Sequence, residues 1–209
     1  MKTAIASQEA PRLDARWAFS WFQTCHRIIH ENRLVLDELD GRQGDGDHGD
    51  NLCAGFEDTK KRLYELSGLP VEFGFYDVFS TVGMSLYANC GGMSGPLYGS
   101  IFLAWAELFQ PGTNENLDAP IICELFYLAT KNIKARGRVN LGENTMLDAW
   151  WAAYQGALQV CIESGQGYES FQGAVRAVTE LVEKTRPVLN AGVYSTSLIL
   201  QSGLATITK

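Results

Sequence analysis

Apolar residues return at helical spacing along most of this chain, and nowhere do they alternate as a half-buried strand requires. Trp17, Trp21, Cys25 and Ile28/Ile29 step by i, i+4, and Leu52, Phe56, Leu63 and Leu66 lie within about one face. Val78/Phe79, Val82 and Leu86 mark a third segment, and Leu97, Phe102 and Trp105/Ala106 a fourth. Further helices are predicted over 120–135, where Pro120 suits a first turn, and over 144–164, 169–185 and 194–207. Residues 68–74, 112–118 and 165–167 read as plain loops, and no internal repeat or low-complexity tract breaks the series. The economical reading is a single all-α domain of eight helices over residues 13–209, preceded by a tail at 1–12.

Composition narrows the function. The 209 residues are enough to bury one sizeable core. Lys plus Arg is 17 against 24 for Asp plus Glu, a net charge of −7, which argues against a nucleic-acid binder. Hydrophobic residues at 46% and charged ones at 20% exclude a disordered chain. The longest apolar run, residues 101–109, is interrupted by Glu107 and falls well short of the ~20 residues of a membrane span. The first twelve residues carry no apolar core of a secretory signal. Five scattered cysteines without a CxxC pair point to reduced thiols and a cytoplasmic location.

The connections are not alike. Gly- and Asp-rich stretches at 41–50, 91–95, 136–144 and 187–192 alternate with the plain loops. If consecutive helices run antiparallel, all four stretches fall at one end of an up-and-down bundle, where every second helix begins. Helix N-termini offer unpaired N–H groups and partial positive charge, so that end suits an anion such as phosphate.

The densest chemistry is the run Asp40-Gly-Arg-Gln-Gly-Asp45-Gly-Asp47-His48-Gly49-Asp50-Asn51. Crowded carboxylates repel by roughly 1 kcal/mol per close pair in water and about 4 at an effective dielectric of 20, a cost a bound cation removes. Carboxylates without cysteine partners select a hard ion, Mg²⁺ or Ca²⁺. A solvated acidic loop is the plain alternative. An EF-hand starting at Asp45 fails, because Gly49, Asp50 and Phe56 stand where Asp or Asn, Gly and Glu are needed. His48 is open to three readings, as ligand, phosphate contact or cap, and His26 and His30 read as bystanders. Gly91-Gly92-Met93-Ser94-Gly95 is only loosely a phosphate-cradling loop. Trp150/Trp151 and Tyr87 are most simply core or interface residues, and Arg136 and Arg138 solvent-facing or phosphate-pairing.

Taken together these residues resemble the nucleotide-binding subunit of dihydroxyacetone kinase, the DhaL type. The likeness rests on Leu39-Asp40 with Gly44-Asp45-Gly46-Asp47-His48-Gly49, Asn51 and Gly55-Phe56. It continues through Gly83-Met84-Ser85-Leu86, Gly91-Gly92-Met93-Ser94-Gly95-Pro96-Leu97-Tyr98-Gly99, Arg136-Gly137 and Gly142-Glu143-Asn144-Thr145-Met146-Leu147-Asp148, roughly residues 15–160. The resemblance implies an eight-helix antiparallel barrel with the nucleotide and metal at one end. It implies that Asp40, Asp45 and Asp47 hold two Mg²⁺ ions against the diphosphate of ADP or ATP. His48, Gly49, Asn51, Met93, Ser94, Gly137 and Met146 would surround the nucleotide. Such a subunit supplies the phosphoryl group, while a separate DhaK-type subunit binds dihydroxyacetone through a His. A phosphotransferase-system donor protein is the further partner implied for free-standing copies.

Three departures stand against that pattern. The family carries a longer segment before its last helix, with Gly-Arg-Ala-Ser-Tyr-Leu-Gly-Glu-Arg and then Asp-Pro-Gly. Here Thr185-Arg186-Pro187-Val188-Leu189 runs almost directly into Asn190-Ala191-Gly192, so the lid and its Arg are missing and Asn190 replaces the Asp. Asn144 stands where Lys is expected before Thr145. A shorter lid predicts a more exchangeable nucleotide. It also leaves open a divergent, non-catalytic form that binds metal and nucleotide and acts through a protein partner.

Overall fold

Helices with one apolar stripe must bury it against neighbours, and the computed structural model, which describes residues 11–70 and 72–207, shows how. The helices are α1 Ala15–Glu31, α2 Arg33–Asp40, α3 His48–Ser67, α4 Phe75–Asn89, α5 Ser94–Ala106, α6 Ala119–Arg136, α7 Met146–Glu163, α8 Gly167–Thr185 and α9 Ala191–Ala205. A 3-10 turn at Arg186–Val188 leads into α9, and no strand occurs among the described residues. From α3 onward each helix packs on the next, and α1 packs on both α3 and α9, which closes an up-and-down ring. The tail expected at 1–12 lies outside the described residues as far as residue 10. Among the described residues no helix is long and apolar enough to cross a membrane.

The eight expected helices are present as α1 and α3 to α9, and α2 is an addition. Asn32 separates it from α1: its side-chain amide donates to the Ile28 carbonyl at 2.8 Å, and Tyr194 Oη donates to Asn32 Oδ1 at 3.0 Å. The bend is therefore pinned by a residue of α9 and carries no Pro or Gly signal. It aims α2 across α3 and α9, so that Asp40 ends the helix at the acidic turn.

Trp21, Trp105 and Trp150 are fully buried and run as a chain, with ring centroids 6.2 and 5.8 Å apart. Helix carbonyls absorb two of the indole N–H groups, Trp21 donating to Ile199 and Trp105 to Leu125, both at 2.6 Å. Trp150 is thus core, while Trp151 is half-buried against Tyr154.

The two ends of the ring differ as the connections do. At one end the Phe75 amide donates to the Thr113 carbonyl and the Leu117 amide to the Leu13 carbonyl, both at 3.0 Å, and Gly167 lies against Leu117. At the other, the first residues of α3, α5, α7 and α9 surround one cleft.

Candidate metal and nucleotide site

The cleft is a cavity of about 420 Å³, within the range of small-ligand sites. Asp40, Asp45 and Asp47 form its acidic wall, with a carboxylate oxygen of each within 4.8 Å of the others. The turn that gathers them is built locally. Gly46 sits at φ +79°, a left-handed backbone that suits glycine, and its amide and that of Asp47 donate to Asp40 Oδ2 at 2.9 and 3.3 Å. Asn51, one turn into α3, donates to Asp47 Oδ1 at 2.7 Å. Burial holds the Asp47 carboxyl above its ordinary range, Asp45 and Asp40 add to the rise, and Asn51 opposes it. The cluster contains no Lys or Arg, so its donor set of oxygens around one point fits a hard divalent cation.

His48 begins α3 and is almost wholly buried beneath the cleft. Its Nδ1 lies 3.0 Å from Ser94 Oγ at the start of α5, and its Nε2 lies 2.8 Å from Ser195 Oγ on α9. Burial lowers its pKa, with Asp40 and Asp37 opposing, so the ring is neutral near pH 7. His48 is thereby neither an exposed cap nor a member of the carboxylate cluster.

The expectation that four helix N-termini face an anion is narrowed by their caps. Asp37 Oδ1 accepts from the first-turn amides of Gly49 and Asp50 at 2.7 and 3.1 Å. Thr145 and Asp148 form a reciprocal capping box on α7, and Asn190 Oδ1 accepts from the Gly192 amide at 2.8 Å on α9. No side chain caps α5, whose start at Met93 and Ser94 lines the same cleft as the carboxylates. That loop is possible because Gly92 adopts φ +60° and Gly91 has no Cβ to overlap Asn51 Oδ1.

Of the residues singled out in the sequence, Asp40, Asp45, Asp47, His48, Asn51, Met93, Ser94 and Met146 meet around this cleft. Gly49 and Gly137 do not line it: Gly49 packs against the Arg33 carbonyl and Asp37, and Gly137 terminates α6. Asn190 lines the cleft as the cap of α9, whereas Asn144 turns away to donate to the Val188 carbonyl at 2.6 Å. Arg186 is exposed and paired with Glu183, at 2.5 and 3.1 Å. Sequence reasoning missed Asp37, Thr145, Ser195 and Thr196. Asp37 lay one helical turn before Asp40, but Ser195 carried no signal, being 147 residues from the histidine it meets.

The family model described as the DAK2 domain matches residues 42–193. The ADP-binding subunit DhaL of PEP-dependent dihydroxyacetone kinase 1 from Listeria innocua is 31% identical over 199 residues, covering 92% of this chain and 97% of its own. The ADP-binding subunit DhaL of the PTS-dependent dihydroxyacetone kinase from Lactococcus lactis is 42% identical over 133 residues, 63% of each chain. The dihydroxyacetone kinase of C. freundii, solved with AMP-PNP and Mg²⁺, superposes with a TM-score of 0.70 at 21% identity. It covers 97% of this chain and 36% of its own, and at that identity it bears on the fold alone.

Proposed function

This chain belongs to the DAK2-domain family, in its DhaL type, and from that premise we propose that it is a Mg²⁺- and ADP/ATP-binding phosphotransferase subunit. It passes a phosphoryl group to dihydroxyacetone, or a similar short ketose, held by a separate DhaK-type subunit. The phosphoryl source is ATP or a phosphotransferase-system donor protein that recharges bound ADP. The observation that carries this reading is the cleft lined by both the three carboxylates and the uncapped start of α5.

Each residue then has a physical task. Asp40, Asp45 and Asp47 would hold two Mg²⁺ ions against the diphosphate, a positive charge that would offset the negative charge developing on the transferred group. Asn51 keeps the Asp47 carboxylate turned toward the cluster. The amides at Met93 and Ser94 receive phosphate oxygens, as an open helix start does. Met93, 61% exposed, and Met146 offer apolar surface to the base at the cleft mouth. The subunit acts in the cytoplasm, as one domain spanning residues 13–209. A second reading, binding without transfer, draws on Arg186, which is engaged by Glu183 outside the cleft.

Calorimetric titration with ADP in Mg²⁺, then in EDTA, tests the site, with Asp45→Asn alongside. Binding that needs both the metal and Asp45 is expected. Undiminished affinity in Asp45→Asn overturns the assignment. Adding a DhaK-type subunit with dihydroxyacetone then separates transfer from binding alone.

A further inference from the structure

Five side chains beneath the cleft form one unbroken chain of contacts. Ser94 Oγ meets His48 Nδ1 at 3.0 Å, His48 Nε2 meets Ser195 Oγ at 2.8 Å, and Ser195 Oγ meets Tyr98 Oη at 2.8 Å. Tyr98 Oη meets Thr196 Oγ1 at 2.9 Å, and Thr196 Oγ1 reaches the Gly192 carbonyl at 2.8 Å. Tyr98, Ser195 and Thr196 are fully buried and His48 and Ser94 nearly so, so water does not enter the contacts between them.

Ser195 Oγ also lies 3.3 Å from the Gly192 carbonyl, longer than the other five contacts, and counting hydrogens over those five gives the order. The three hydroxyls of Ser94, Ser195 and Thr196, the Tyr98 phenol and one N–H of a neutral His48 supply five hydrogens for five contacts. The Gly192 carbonyl only accepts, so Thr196 donates to it, Tyr98 donates to Thr196, and Ser195 donates to Tyr98. His48 then donates from Nε2 to Ser195, and Ser94 donates to the bare Nδ1. In that order Ser94 turns only lone pairs toward the cleft it lines, which repels a phosphate oxygen.

We propose that an anionic phosphate in the cleft reverses this chain, moving the His48 proton from Nε2 to Nδ1 so that Ser94 donates outward. Ser195 then donates to Nε2, and Tyr98 to Ser195. Of the five short contacts, the one left without a hydrogen is between Tyr98 and Thr196, while Thr196 keeps its bond to Gly192. His48 is neutral in both orders, and no proton enters or leaves the protein. Tyr98, Ser195 and Thr196 are positioning residues in this scheme, and they tie α9 to occupancy of the cleft. The scheme rests on the nucleotide reading above.

The test is nitrogen NMR of imidazole-labelled protein in a His26→Gln, His30→Gln background, which leaves His48 as the sole histidine. Both replaced residues lie on α1, away from the cleft. The free protein is expected to show the Nε2–H tautomer, and saturation with ADP and Mg²⁺, followed by calorimetry on the same sample, the Nδ1–H tautomer. Tyr98→Phe removes the link that enforces the order, so both tautomers are expected in its free form. Its affinity for ADP should be unchanged or raised, by less than about tenfold, whereas a merely structural tyrosine would weaken binding when truncated. Binding with the Nε2–H tautomer retained overturns this inference alone. Absence of ADP binding by the folded wild type overturns the functional reading and this inference together.

Discussion

Gly156 on α7 and Gly173 on α8 face each other so closely that a methyl on either would run into the other's carbonyl oxygen. The two helices cross backbone to backbone. In an ordinary helix interior Gly→Ala gains about 1 kcal/mol. Here the sign should reverse, and Gly173→Ala should cost roughly 1–3 kcal/mol through overpacking. Gly68 is the control, since an added Cβ there meets nothing closer than 3.5 Å. Urea unfolding of the two variants checks the contrast, and a Gly173→Ala protein as stable as wild type refutes it.

The tryptophan chain supports a second comparison. Trp105 and Trp150 are equally buried, but the Trp105 indole donates to the Leu125 carbonyl while Trp150 Nε1 has no hydrogen-bond partner. Replacement by Phe leaves a similar void at both sites. Only at Trp105 does it also break a bond, so Trp105→Phe should be the more damaging by about 1 kcal/mol. Thermal and chemical melts of both variants decide it, and an equal loss would count against the pairing of Trp105 with Leu125.

Gly91 separates binding from stability. A Cβ at this position overlaps Asn51 Oδ1, and Asn51 in turn holds Asp47. The Asn51 side chain can swing away at modest cost to the fold but not without releasing the carboxylate. Gly91→Ala should therefore lower ADP affinity by more than about tenfold, equivalent to about 1.4 kcal/mol. A melting temperature within a few degrees of wild type is expected alongside. Wild-type affinity in a calorimetric titration would exclude this coupling.

Thiol reactivity should follow burial. Burial pushes Cys90 and Cys123 up to about 12, with Asp47 adding at Cys90 and Cys161 at Cys123, and it carries Cys25 higher still. At pH 8 a thiol of pKa 12 is ionised about once in 10⁴ molecules, and each unit of rising pH multiplies that fraction tenfold. Iodoacetamide on the native protein should mark Cys161 and, more slowly, Cys53, whose partly buried thiol is also raised. The other three cysteines should react only after unfolding. Peptide mass spectrometry reads the order, and early modification of Cys90 would contradict it.

The acidic site was legible because it is local. Asp40, Asp45 and Asp47 lie within eight residues, and glycines between them allow the turn that brings their oxygens together. The fold class was legible for a related reason: a 3.6-residue apolar stripe is a property of each segment alone. The expected bounds of 120–135 and 169–185 meet the observed Ala119–Arg136 and Gly167–Thr185 closely. The break at Asn32 was not legible, since Tyr194 on α9 secures it. Nor was the absence of Gly137 from the cleft lining, which depends on where α6 ends relative to the other helices.

By itself, then, the sequence determined an all-helical domain, an acidic turn and the alternation that sets glycine-rich connections at one end. These follow from period, spacing and chain order, which act over a few residues or one connection at a time. Tertiary structure alone decided which helix starts remain open to an anion, because Asp37, Thr145 and Asn190 cap three of them. It also decided the partners of His48. A hydrogen bond needs two atoms within about 3 Å, and packing of α3, α5 and α9 brings Ser94, Ser195 and His48 to that distance from remote parts of the chain.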